Sequence, residues 1–116
     1  DESSVIPGTE PPLGVYARTR PWAMETPIAS GLRVILVSDG VANAGRRYGS
    51  PLRLDETAAT APRLASAAEI ADLVLCAAIE RDCGKPADDM SVVVLTLPEH
   101  TETTLIRRMR AQVPLP

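Results

Sequence analysis

The chain has 116 residues, enough for one small core, with 45% hydrophobic residues and a formal net charge of −3. The apolar share argues against wholesale disorder. The acidic balance, with Tyr16, Trp22 and Tyr48 as the only aromatics, argues against a general nucleic-acid binder, which needs basic surface and stacking platforms.

In chain order, residues 1–12 are polar, carry Pro7, Pro11 and Pro12, and read as a lead-in loop. They lack a basic segment followed by an apolar one, so no signal peptide is expected there. Leu13, Val15 and Ala17 alternate with polar or small residues and predict a strand over Leu13–Thr19. Trp22, Met24 and Thr26 alternate in the same way and predict a second strand over Trp22–Pro27, with Arg20-Pro21 as the hairpin turn. Ala29-Ser30-Gly31 reads as a turn, and the apolar run in Leu32–Ser38 predicts a buried third strand.

Val41–Ala44 fits one helical turn, and Gly45–Pro51 reads as an exposed loop. Leu52–Pro62 has no clear period and fits either an irregular helix or a flap. Ala67–Arg81 predicts a helix, because alanine, leucine and glutamate favour it and Ser66 with Glu69 forms a capping box. Its polar stripe is thin, comprising Glu69, Asp72, Cys76 and Glu80, so the helix is expected to be covered on more than one side. Gly84 and Pro86 end the helical region. Met90–Leu97 is apolar on both faces and predicts a central strand. The tail Thr101–Val113 fits either period, and Pro114 and Pro116 favour a strand.

The chemistry concentrates in two stretches. Val34–Gly40 is an apolar strand that delivers Asp39 to its C-terminal end, where Gly40 is expected to turn the backbone through positive φ. Ala87–Leu95 places Asp88 and Asp89 at the start of another apolar strand. If these strands are antiparallel neighbours, Asp39 and Asp88 meet at one rim of a sheet. Two adjacent carboxylates repel unless a cation or proton lies between them, and Mg²⁺ takes oxygen ligands of this kind. Taken singly, Asp39-Gly40 is a common turn pair and Asp88-Asp89 a solvated loop.

The other reactive residues point less clearly to a site. His100 is the sole histidine, lies beside Pro98 and Glu99, and supports no Ser-His-Asp arrangement. Cys76 and Cys83 form no CxxC pair and read as reduced thiols of a cytoplasmic protein. Arg46, Arg47 and Arg53 have the guanidinium chemistry for a phosphate and equally fit a solvated loop. Arg107, Arg108 and Arg110 read as a solvated edge. No apolar run approaches the length of a membrane span.

In order, Pro12-Leu13-Gly14-Val15, the strand ending in Ser38-Asp39-Gly40, Gly45-Arg46-Arg47, and Asp88-Asp89 before Met90-Ser91 resemble the metal-dependent protein phosphatase (protein phosphatase 2C) family. The nearer likeness is to its bacterial branch typified by stage II sporulation protein E, over about residues 11–97. That resemblance implies an α+β fold, with antiparallel sheet and packed helix as part of a four-layer α-β-β-α sandwich. It implies hydrolysis of phosphoserine or phosphothreonine on a phosphoprotein by metal-activated water, in a cytoplasmic signalling role. The cofactor would be Mn²⁺ or Mg²⁺ in a binuclear centre. Asp39 and Asp88 would be the catalytic metal ligands. Asp89, where the family usually has Asn, would stand at the metal site in a supporting role.

The family's first half supplies further metal ligands from an Asp-Gly motif followed by Gly-His, and no such stretch lies upstream of Asp39. The resemblance therefore implies the C-terminal half of such a domain, in residues 13–116, inactive alone and bound to an N-terminal half or self-associated. The alternative is a non-catalytic regulatory or assembly module derived from the same fold.

Overall fold

The computed structural model describes residue 6, residues 14–20 and residues 23–97. The predicted tail strand, His100, Trp22, Pro21 of the expected hairpin turn, and most of the lead-in loop lie outside the described residues. The elements are β1 (Arg33–Val37), α1 (Asp39–Ala42), a 3-10 turn (Arg46–Tyr48), α2 (Leu54–Ala59), α3 (Ala67–Arg81) and β2 (Val92–Thr96). The arrangement is α+β: one antiparallel sheet packed with helices.

β1 and β2 pair with Arg33 opposite Thr96 and Val37 opposite Val92. The ladder continues past both ends. Ser38 N donates to Ser91 O (3.0 Å), and Leu97 N donates to Leu32 O (2.9 Å). The alternation of the pleat assigns residues to faces. Val37 and Val92 pack with Met90 against a buried cluster of Val41, Ala44, Leu52, Val74 and Ala78. Each fully buried valine there contributes roughly 1.5–3 kcal/mol. On the opposite face Val34, Leu36, Val93 and Leu95 are 39%, 53%, 55% and 57% exposed.

The predicted helix appears with the predicted bounds. Ser66 Oγ accepts from Glu69 N (3.2 Å) and Glu69 Oε2 accepts from Ser66 N (2.7 Å), closing the capping box. These contacts hold the Glu69 carboxyl below its usual range. Ile70, Val74 and Ala78 are buried, while Glu69, Asp72, Cys76 and Glu80 are exposed. α3 lies on β2, and α2 covers part of a second side. The helix ends in a Schellman turn, with Cys83 N donating to Glu80 O (3.0 Å) and Gly84 N to Ile79 O (2.9 Å). Cys83 takes φ 55° at the position that usually holds glycine.

Several expectations are corrected. Residues 14–20 and 23–27 form no strand; they are turn and irregular backbone, mostly exposed. Alternation over a few residues is not enough for a strand when no neighbouring strand takes its hydrogen bonds. β2 is not central, since β1 is its only partner strand among the described residues. The helical turn expected at Val41–Ala44 begins at Asp39. The loop Gly45–Pro51 contains the 3-10 turn, and Gly45 at its entrance is buried. Within Leu52–Pro62 the irregular helix is realised as α2.

Candidate functional site

Just past the end of β1, Ser38 turns its side chain back onto the facing stretch of chain. Ser38 Oγ accepts from Ser91 N (2.9 Å) and donates to Asp89 O (3.2 Å). The same residue occupies the N-cap position of α1 without a side-chain capping bond, and Asp39 stands in the first turn of that short helix. Asp39 Oδ1 accepts from Gly40 N (2.9 Å), and Asp88 Oδ1 accepts from Asp89 N (2.8 Å). Both carboxylates are thereby steered by their own backbone, and Asp39, Asp88 and Asp89 are all exposed.

Gly40 brings the two motifs together in a different way from the one expected. It does not take positive φ; it is a helical residue. A Cβ built on it would lie 2.2 Å from Asp89 O and 3.3 Å from Asp88 O. Only glycine lets the Asp88–Asp89 backbone lie directly on the first turn of α1. Asp39 and Asp88 therefore occupy one rim of the sheet. Among the described residues, no group of three or more His, Cys, Asp or Glu could hold a metal ion.

Two residues at this site were not singled out in the sequence. Ser38 gave a signal only as the first letter of Ser-Asp-Gly. Asp82 gave none: it follows a helix end and precedes Cys-Gly, like any polar cap. It is 2% exposed. Its Oδ1 accepts from Gly45 N (2.8 Å) and its Oδ2 from Ala87 N (3.3 Å). The Gly45 N–H, chiefly, holds its carboxyl below the usual range, against the opposing effect of burial and with help from the Ala87 N–H and the Arg47 charge.

The remaining candidates are not gathered at the rim. Arg47 donates to Lys85 O and lies with its guanidinium carbon 4.9 Å from the Tyr48 ring centroid. Arg53 pairs with Glu56 (3.4 Å) and Asp55 (3.7 Å). Arg46 is exposed on the 3-10 turn. Cys76 and Cys83 are exposed free thiols. No helix among the described residues is long and apolar enough to cross a membrane.

A family model for stage II sporulation protein E (SpoIIE) matches residues 1–98. No curated protein gives a significant match. With most of its length matched, and with Ser38-Asp39-Gly40 packed against Asp88-Asp89, the chain belongs to the stage II sporulation protein E family, within the protein phosphatase 2C-like superfamily.

Proposed function

We propose that this chain is the C-terminal half of a metal-dependent protein phosphatase domain that hydrolyses phosphoserine or phosphothreonine on a protein. The observation that carries the reading is the seat of Asp88–Asp89 on Gly40, which sets the two acidic motifs side by side. Asp39 and Asp88 offer carboxylate oxygens, the donors that hard cations such as Mn²⁺ and Mg²⁺ accept. A divalent ion bound there supplies a water of lowered pKa and a counter-charge for phosphoryl oxygens. Ser38 locks the two strand ends, which keeps the backbones of the two acidic stretches together. Asp89, with its carbonyl held by Ser38, supports the site from its backbone and orients a ligand or water.

The further ligands come, in this reading, from an N-terminal half. That half also covers the open apolar face of the sheet and completes the four-layer sandwich. The protein acts in the cytoplasm on a phosphoprotein in a signalling pathway. A second reading, a non-catalytic assembly module, is favoured by one observation. Among the described residues, no three or more His, Cys, Asp or Glu are grouped so as to hold a metal ion.

Activity separates these readings. The isolated chain is expected to turn over a generic phosphate ester very poorly. A polypeptide that also contains the upstream half is expected to be active with Mn²⁺ or Mg²⁺. It should lose at least about a hundredfold in kcat on Asp39→Asn or Asp88→Asn. Full activity in either variant would overturn the ligand assignment, and metal-dependent turnover by the isolated chain would overturn the half-domain account.

A further inference from the structure

Asp82 is the one buried charged residue among the described residues, and it lies behind the rim rather than in it. Its two oxygens reach two different loops. One accepts from Gly45 at the head of the 3-10 turn, the other from Ala87, the residue before Asp88. A second tie runs between the same two loops, from the Arg47 guanidinium to Lys85 O. The turn itself has no slack. Gly45 has φ 79°, and a Cβ there would lie 2.0 Å from Ser50 O and 3.0 Å from Arg81 Cβ.

The chemistry of the clamp calls for a carboxylate. Both partners are backbone N–H donors, and a carboxylate is an acceptor at both oxygens. Asparagine of the same shape could accept from one of them and would present its own N–H₂ to the other. Taking a charge out of water is costly, so a carboxylate persists in such a place only when hydrogen bonds compensate it.

We propose that Asp82, seconded by Arg47, is the positioning group of the acidic rim. It fixes residues 84–89 against the 3-10 turn, so that Asp88 and Asp89 land on Gly40 and stand beside Asp39 as carboxylate donors for a divalent cation. The part that concerns the cation rests on the reading of the rim as a metal site; the clamp itself does not.

The test uses the whole chain, with Mn²⁺ as the probe and backbone amide NMR as the readout. In the unaltered chain, a cross-peak from Gly40 Hα to the backbone protons of Asp88–Asp89 reports the seat, and Mn²⁺ broadens the Gly40 and Asp89 amides together. In Asp82→Asn the cross-peak is expected to weaken severalfold. Broadening at Asp89 should require about tenfold more Mn²⁺ than at Gly40. The amides of Ile70–Ala78 should keep their shifts and exchange protection. Arg47→Met, at an exposed position, is expected to give a smaller change in the same direction, and it serves if Asp82→Asn does not fold. An unchanged cross-peak with α3 intact would overturn the clamp. Unchanged, coincident broadening in the variants would overturn its role towards the cation. If the unaltered chain shows no coincident broadening, the metal reading of the rim fails, and the cross-peak alone judges the clamp.

Discussion

The two faces of the sheet are made of the same residue types and have opposite fates. Val37, Val92 and Val94 point towards the helical layer and are half-buried, and the cluster beneath Val37 and Val92 includes the fully buried Val41, Val74 and Ala78. Val34, Leu36, Val93 and Leu95 point the other way and are exposed. The pleat alternates side chains between faces whatever their identity. Burial is decided by whether another element arrives. α3 arrives on one face because its own apolar stripe needs cover, and no described element arrives on the other. An apolar strand requires cover, and its partner decides where that requirement is met.

The strongest way to break this arrangement is at the rim, where the covered layer and the acidic loop touch. Gly40→Ala puts a methyl group into the Asp89 carbonyl, against backbone that cannot swing aside. A loss of about 3 kcal/mol in urea unfolding is expected, the upper end for overpacking. A change below about 1 kcal/mol would mean that the Asp88–Asp89 loop does not sit there.

Matched truncations separate the two faces. Val74→Ala, in the buried cluster, is expected to cost about 2 kcal/mol from lost transfer energy and the cavity left behind. Val93→Ala, on the open face, is expected to cost under about 1 kcal/mol in the isolated chain. If Val93→Ala costs as much as Val74→Ala, and the cost grows with protein concentration in light scattering and unfolding, a second copy covers the open face.

A smaller effect of opposite sign is expected at the end of α3. Cys83 holds φ 55° in a Schellman turn without the freedom of glycine. Cys83→Gly is expected to raise stability by about 1 kcal/mol, since the relief of left-handed strain exceeds the added entropy of the unfolded chain. A lower thermal midpoint in the variant would show that the thiol contributes packing there.

The smallest effect is a pH dependence. The Asp82 carboxyl is held below its usual range in the fold. Its contribution is therefore fully present above the unfolded value, near pH 4, and is lost as pH falls from there through the lower folded value. Glu69 acts in the same direction from the capping box. Unfolding curves from pH 7 down to pH 3 should show this decline, and the part due to Asp82 should vanish in Asp82→Asn. A variant that declines as steeply as the parent would remove Asp82 from the account.

Much of the molecule was legible from local pattern. The helix Ala67–Arg81 follows from propensity and from Ser66 and Glu69 at capping-box spacing, all within one stretch of chain. The strands β1 and β2 follow from short apolar runs bounded by polar turns, and their acidic ends marked the rim. The helix and its cap form between residues near in sequence, and the apolar runs mark the strands, although the ladder that makes them strands joins residues far apart.

Tertiary structure decided the rest. Residues 14–27 carry an alternation like that of a strand, yet no partner strand among the described residues takes it up. Gly40 was legible as a glycine after an aspartate, but only the approach of Asp89 revealed that it makes room rather than a bend. Asp82 had the pattern of an ordinary helix cap until Gly45 and Ala87 met its two oxygens. Hydrogen-bond partners and burial are properties of residues far apart along the chain. They exist only once β1 and β2 have paired and α3 has closed over them.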